Sequence, residues 1–307
     1  MKISGLLHMT SFRKLCLFFF FPVFWSSAIS GQSDTTSTIP QKPWKFDGTF
    51  IFNLNESTFT NWVAGGDSQI GTSSLLKPVF VYDNAKWAWN IELDIRHGLH
   101  KINSEKSKKS EDVLRMEMRI GRHISDKWKF SALYTINTQE RPSWDGDKLI
   151  STFMAPCYTN ISLGFDYNAT KKLNIYMTPL NIRTTYVLND TLSARGDFGV
   201  QPGSRVLYKL GPSFFIKYMN EVTKNIFVDT KFGYFQNVLD GLGDPVINWD
   251  AIISMKVNKY IATSFTFALF YDKDSKTDIK DENGNITGSV ARLQFKQTFG
   301  FGLNVIW

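Results

Sequence analysis

Of the 307 residues only two are cysteine and four are histidine. Cys16 lies in an N-terminal stretch expected to be removed, which leaves Cys157 alone and excludes an intramolecular disulfide. So few His and Cys donors do not furnish a four-ligand zinc site. The sequence has no H-E-x-x-H, no G-x-S-x-G and no P-loop, and the Gly241-Leu242-Gly243 and Gly300-Phe301-Gly302 pairs lack the third glycine and the following helix of a dinucleotide fingerprint. The acidic run from Asp272 fails as a calcium loop, because its sixth position is Thr277 rather than Gly and its twelfth is Asn283 rather than Glu. Beyond residue 30 no segment approaches 18 consecutive apolar residues, so no transmembrane helix is expected. These absences call for no metal and no cofactor, and they weigh against an enzyme.

The first thirty residues read as a secretory signal: Lys2, Arg13 and Lys14 form a positive region, residues 15–25 form an apolar run, and small residues near Ser30 and Gly31 offer a cleavage site. The apolar run is too short for a stable membrane-spanning helix. Cys16 stands at the start of that run, where the small residues of a lipoprotein site are missing. Removing residues 1–30 takes away three positive side chains and lowers the formal charge from +7 to +4, a surplus that asks for no nucleic acid partner. The expected organisation is a signal peptide at 1–30, a periplasmic linker at 31–43 and one domain at 44–307.

That domain alternates with period two. Trp87, Trp89, Ile91, Leu93 and Ile95 share one parity against Glu92, Asp94 and Arg96 on the other. Leu114, Met116, Met118 and Ile120 likewise oppose Arg115, Glu117 and Arg119. Such segments recur near 44–55, 69–82, 87–99, 113–124, 128–138, 151–167, 173–187, 206–221, 226–235, 246–257, 260–271 and 289–307, and no stretch of similar length carries a helical period. The connections alternate between short (83–86, 125–127, 168–172, 223–225, 258–259) and long (56–68, 100–112, 139–150, 188–205, 236–245, 272–288). A soluble β-sandwich has no reason to keep that rhythm. An all-β, transmembrane antiparallel up-and-down β-barrel of about twelve strands does, with tight periplasmic turns and longer external loops in an outer membrane.

Tryptophan supports the same reading. Trp44, Trp87, Trp89, Trp128 and Trp307 fall near the periplasmic ends of outward-facing rows, where an interfacial girdle belongs. Phe299, Phe301, Leu303, Val305 and Trp307 alternate to the last residue, the pattern expected of a closing strand read by the outer-membrane insertion machinery. Pro78, Pro156, Pro179 and Pro212 conflict with it, since proline removes a ladder donor within a strand.

The motifs Asn61-Trp62-Val63-Ala64-Gly65-Gly66, Ile247-Asn248-Trp249-Asp250 running on to Tyr260, and Arg292-Leu293-Gln294-Phe295-Lys296 resemble a family of exported Gram-negative proteins known only by an unknown-function label. The resemblance implies a β-rich envelope protein and brings no catalytic residues with it.

Candidate function concentrates on the inward parity. Glu92, Asp94, Arg96, Arg115, Glu117, Arg119, Lys209, Lys217, Asp229, Lys231, Asp250, Lys256, Arg292 and Lys296 are expected to face the lumen, since charges inside a membrane barrel must meet water or one another. Two readings conflict. In one they line a narrow pore for small solutes or ions, with an anion bias from the later strands. In the other opposite signs pair across the lumen and plug it, leaving a structural or binding barrel that presents its external loops. In the loop at 56–68, Trp62 with Gly65 and Gly66 is a candidate constriction or binding surface. A third reading, a barrel-embedded lipid hydrolase, rests on outward-facing His97 with Ser73 or Ser74 on the preceding strand. The expected surroundings are outer-membrane lipid, the insertion machinery and a small solute.

Overall fold

A computed structural model describes residues 43–57, 69–103, 107–239, 241, 243, 245–258, 261–280 and 286–306. The signal and linker readings at 1–42, the loop residues Trp62, Gly65 and Gly66, and Trp307 lie outside the described residues. Twelve antiparallel strands close into a barrel: β1 (Trp44–Ser57), β2 (Gln69–Asp83), β3 (Trp87–Ile102), β4 (Lys108–His123), β5 (Trp128–Thr138), β8 (Cys157–Asn168), β9 (Leu173–Tyr186), β10 (Val206–Thr223), β11 (Ile226–Gln236), β12 (Pro245–Lys256), β13 (Ile261–Tyr271) and β16 (Gln294–Ile306). Each pairs with its neighbour in sequence, and β1 pairs with β16 to complete the ring. Two hairpins stand apart from it, β6 (Ser143–Asp145) with β7 (Lys148–Ser151) and β14 (Lys276–Lys280) with β15 (Ile286–Ala291).

Side-chain oxygens set the tight turns. Asn84 Oδ1 accepts from the Lys86 and Trp87 amides at 2.9 and 2.7 Å, and Thr170 Oγ1 accepts from the Lys172 and Leu173 amides, each at 3.1 Å. Asn258 Oδ1 accepts from the Ile261 amide at 2.9 Å, and Ser125 Oγ from the Trp128 amide at 3.3 Å. Asn, Ser and Thr favour turns because they make such local bonds in place of ladder bonds.

Closure depends on missing side chains. At Gly302 a Cβ would meet the Phe52 carbonyl oxygen at 1.9 Å, and at Gly300 it would meet the Asn53 side chain at 2.5 Å. The two glycines let β16 come up against β1 and seat Asn53, whose amide donates to Ser73 Oγ at 3.2 Å. The pair has nothing to do with nucleotides.

The prolines find places where the ladder is interrupted. Pro156 stands just before β8, and of the segment expected at 151–167 the wall strand takes only Cys157 onward. Pro179 and Pro212 sit at the register shifts of β8–β9 and β9–β10. At Pro78 the β2–β3 pairing lapses between Leu76–Ile95 and Val79–Glu92.

Burial is inverted relative to a water-soluble protein. Leu54, Ile95, Phe130, Leu163, Phe165, Trp249, Phe295 and Phe299 are exposed, while Lys77, Glu92, Asp94, Arg96, Asp166, Arg183, Lys209 and Asp229 are buried. Among strand architectures only a closed wall satisfies every backbone group in a bilayer, and an apolar exterior over a charged interior fits that setting. The chain is an outer-membrane-type β-barrel. Trp44, Trp87, Trp89 and Trp128 are exposed at the tight-turn end, with Trp44 5.0 Å from Tyr82 and Trp128 4.7 Å from Tyr167 between ring centroids.

The opposite end carries structure that periodicity does not announce. A short helix, α1 (Asp190–Arg195), starts from the Asn189 cap and ends at Gly196 in the left-handed conformation. Its Leu192 packs with Ala155, Val187 and Val200 in a small apolar core. A six-residue helix is too short to show its period; the β6–β7 hairpin and most of β14–β15 lie in segments expected to be loops, and the last wall strand, expected from 289, begins at Gln294, residues 289–291 belonging to β15.

Candidate functional site: the ion-paired lumen

The inward parity of the wall strands brings together charges far apart in sequence. Glu92 on β3 and Lys231 on β11 belong to strands six places apart in the ring of twelve, yet Lys231 Nζ lies 2.6 Å from Glu92 Oε1. Arg115 on β4 and Asp250 on β12 are also diametrically placed, and meet at 3.1 Å. Such pairs exist only across the interior. Lys217 joins Glu92 at 2.8 Å, Lys77 pairs with both Glu92 and Asp229, and Lys231 also reaches Glu117 at 3.2 Å. Arg119 connects this belt to Asp166 at 2.6 Å and to Glu117 at 3.0 Å. Arg96 grips Asp94 through Nε and Nη2, each at 2.7 Å. Such a two-point fork is among the strong guanidinium–carboxylate contacts.

A second cluster lies toward the loop end. Lys209 Nζ stands 3.1 Å from Asp272 and 2.6 Å from Asp274, while Arg183 Nη2 reaches Asp272 at 3.2 Å. Arg183 also lies over the Tyr158 ring, 4.7 Å from its centroid, and Arg119 over that of Tyr176 at 5.0 Å. Between belt and cluster runs a cavity of about 120 Å³, bordered by Arg115, Arg183, Tyr158, Phe215, Phe270 and the amides of Asn137 and Asn160 among others.

Most of the residues expected to face the lumen stand on its inner wall. Lys256 and Lys296 lie at its mouths, half open to solvent and paired with Glu221 at 3.9 Å and Glu111 at 3.3 Å. Arg292 does not fall on the wall: it lies between β15 and β16, exposed. The outward row Phe299, Phe301, Leu303 and Val305 of β16 is exposed on the barrel surface.

Sequence reading missed five members. Arg183 and Asp166 continue clear alternations on β9 and β8 and were open to detection there. Lys77 is disguised by Leu75 and Val79 on its parity and by Pro78 beside it. Asp272 and Asp274 follow the end of β13, where a loop was expected. Their inclusion changes the electrostatics. Among the described residues, Lys77, Arg96, Arg115, Arg119, Arg183, Lys209, Lys217 and Lys231 are each paired within a set formed by Glu92, Asp94, Glu117, Asp166, Asp229, Asp250, Asp272 and Asp274. The cationic surplus expected of the later strands is balanced in the described lumen.

His97 on β3 is in register with Ser74 on β2 and Asp112 on β4, three outward positions in one row. The bonds among them are not those of a hydrolase. Ser74 Oγ donates to the His97 carbonyl oxygen at 3.3 Å, and the Asp112 carboxylate accepts from the Glu140 and Arg141 amides at 2.9 and 2.8 Å. His97 Nε2 is buried without a hydrogen-bond partner among the described residues, so it does not activate Ser74 in this arrangement.

Residues 54–143 match the model of a family described as a protein of unknown function (DUF3078). The match takes in the end of β1, strands β2 to β5 and the Glu92 to Arg119 half of the belt. No curated protein matches the chain at a significant level. Solved structures similar to it include an outer-membrane channel from Pseudomonas putida F1, 9% identical with a TM-score of 0.40, covering 90% of this chain and 100% of that one. The translocator domain of the autotransporter NalP from Neisseria meningitidis is 8% identical with a TM-score of 0.38, covering 86% and 88%. The NanC porin is 9% identical with a TM-score of 0.36, covering 84% and 99%.

Proposed function

We propose that the chain is a narrow conduit for small solutes in the outer membrane, held closed in this arrangement by the ion pairs across its lumen. The observation that carries this reading is the cavity beside the belt, lined by charged side chains of both signs, amides and aromatic rings drawn from strands around most of the wall. A barrel serving only as a scaffold is most stable with its interior filled by packed side chains. Here the interior carries buried charges, which are costly to desolvate and mark solute or ion pathways in membrane proteins. The anion bias drops out of the proposal at rest, because the lumen charges balance. In an exported protein of this kind, the outward aromatic row of β16 is the segment the insertion machinery reads.

The test is conductance of the refolded protein in a planar bilayer, after folding has been checked by a gel band that shifts on boiling and by a β-dominated circular dichroism spectrum. The wild type is expected to give rare, small steps with a reversal potential near zero under a salt gradient. Replacing the diametric pair together, Glu92→Gln with Lys231→Gln, is expected to raise conductance or open probability several-fold. A correctly inserted double variant that stays silent refutes the conduit.

The second reading, a non-conducting barrel that binds partners through its external loops, is favoured by one observation. The loop end is built over by α1 and its own apolar core, and the Arg205 side chain donates to Asp190 at the start of that helix. Silence in the bilayer would move the search for function there.

A further inference from the structure

We propose that Arg183 and Lys209 form a binding site for the carboxylate of a small ring-bearing solute, which Asp272 and Asp274 of the chain itself fill in this structure. The idea rests on the conduit reading for its role in passage, though the site is defined by its own geometry.

Both cations are deeply buried, Lys209 at 2% and Arg183 at 5% exposure, and a buried cation must have a counter-charge. In the belt that charge comes from strands pinned by ladders on both sides. At Arg183 and Lys209 it comes from a turn. Residues 272–275 are held by the Ser275 amide on the Asp272 carbonyl at 3.0 Å and the Asp274 amide on Asp272 Oδ1 at 3.1 Å. Asp274 is seated against Gly199, a left-handed residue with φ of 82° where any Cβ would come within 2.5 Å of the Asp274 side chain. The anions thus arrive on a small element wedged between wall and loop.

The fit of Asp272 is also incomplete. Arg96 uses both Nε and Nη2 on Asp94, each at 2.7 Å. Arg183 gives Asp272 only Nη2, at 3.2 Å, and its Nε is buried with no hydrogen-bond partner among the described residues. A free carboxylate, not tied to a backbone, is able to take both donors of that edge. Next to the same guanidinium lie the Tyr158 ring beneath it and Phe270, 6.4 Å from Tyr158 between centroids. Asn137 and Asn160 add amide groups to the cavity wall. The cavity of about 120 Å³ is by itself smaller than the roughly 150 Å³ that holds benzene in an engineered protein core, so the carboxylate must take the place that Asp272 and Asp274 now fill. The aromatic rings and the half-used guanidinium point to one ring with one carboxylate.

The probe is benzoate, titrated calorimetrically into the refolded protein in detergent. Removing the internal anions with Asp272→Asn and Asp274→Asn is expected to tighten benzoate binding at least ten-fold over the wild type. Adding Arg183→Gln to that background is expected to abolish the gain. Acetate, with the charge and no ring, is expected to bind the double variant several-fold more weakly than benzoate. Unchanged affinity in the double variant, or a gain that survives Arg183→Gln, overturns the site, and equal affinity for acetate overturns the ring-bearing ligand. Should the double variant lack the heat-shifted band of a folded barrel, Asp274→Asn alone is measured, with a two- to five-fold gain expected and no gain counting against the site. Binding without conductance would remove the conduit and keep the site; conductance without binding would do the reverse.

Discussion

The belt and the loop-end cluster use the same side chains, Lys and Arg against Asp and Glu, and differ in what carries them. In the belt every partner belongs to a wall strand, so Glu92 and Lys231 are positioned by backbone ladders that neither side chain can disturb. At the loop end Lys209 and Arg183 belong to the wall, but Asp272 and Asp274 belong to a turn. An ion pair between two rigid walls is a structural tie. One between a wall and a turn holds no strand ladder in place, so it is expected to part without unfolding the barrel. The same chemistry therefore predicts different consequences when it is broken in the two places.

The largest effect is expected at Glu92, whose two oxygens are shared among Lys77, Lys217 and Lys231. Glu92→Gln keeps the shape and leaves three ammonium groups facing one another with Asp229 and Glu117 as the remaining carboxylates. Removing one member of a buried charge network typically costs about 3–5 kcal/mol. The midpoint of denaturant unfolding in detergent, followed by the boil-sensitive gel band, should fall by a matching amount. A shift of less than about 1 kcal/mol would mean that water already screens the belt, as for exposed pairs.

Arg115→Gln should be milder. Arg115 and Asp250 are partly open to the cavity, with side chains 27% and 19% exposed, and Asp250 keeps a route to water when its partner is lost. A loss of roughly 1–2 kcal/mol lies between the exposed and buried limits for ion pairs. Its second readout is selectivity: with one cation fewer, the reversal potential of any residual conductance should move toward cations. No movement would place Arg115 outside the path of the ions.

How far this contrast is legible in the sequence follows from the same distinction. The twelve strands, their tight turns and the inward parity of Glu92 to Arg119 repeat with period two and carry their signal along the chain; the structure keeps that strand number, with ends shifted by a few residues. The loop-end cluster has no period. Asp272 reads as the start of an acidic loop, and only the closure of the barrel brings it to Arg183, 89 positions earlier in the chain. The partner of a charge is likewise not written in alternation: that Lys231 faces Glu92 depends on ring size and stagger, which no single strand encodes. The interruptions at Pro156, Pro179 and Pro212 show the reverse case: the local signal that conflicts with alternation marks the places where the ladder shifts or begins.

The smallest stability effect is expected at the turn, and it separates the two clusters most sharply. Asp274→Asn removes one of two carboxylates from Lys209 while Asp272 stays 3.1 Å away, so the buried ammonium keeps a counter-charge. Asparagine is nearly the same size and keeps a carbonyl oxygen to accept from Lys209, so its fit against Gly199 is preserved. The unfolding midpoint should move by less than about 1 kcal/mol, within the range of a partly solvated pair. If the turn is a removable contact, hydrogen exchange of the amides at 274 and 275 should nonetheless speed up, since local opening is governed by local contacts rather than by global stability. Exchange in β9 and β10 should stay as slow as in the wild type. If those strands quicken together with the turn, the loop-end cluster is as much a tie of the wall as the belt, and the contrast between the two falls.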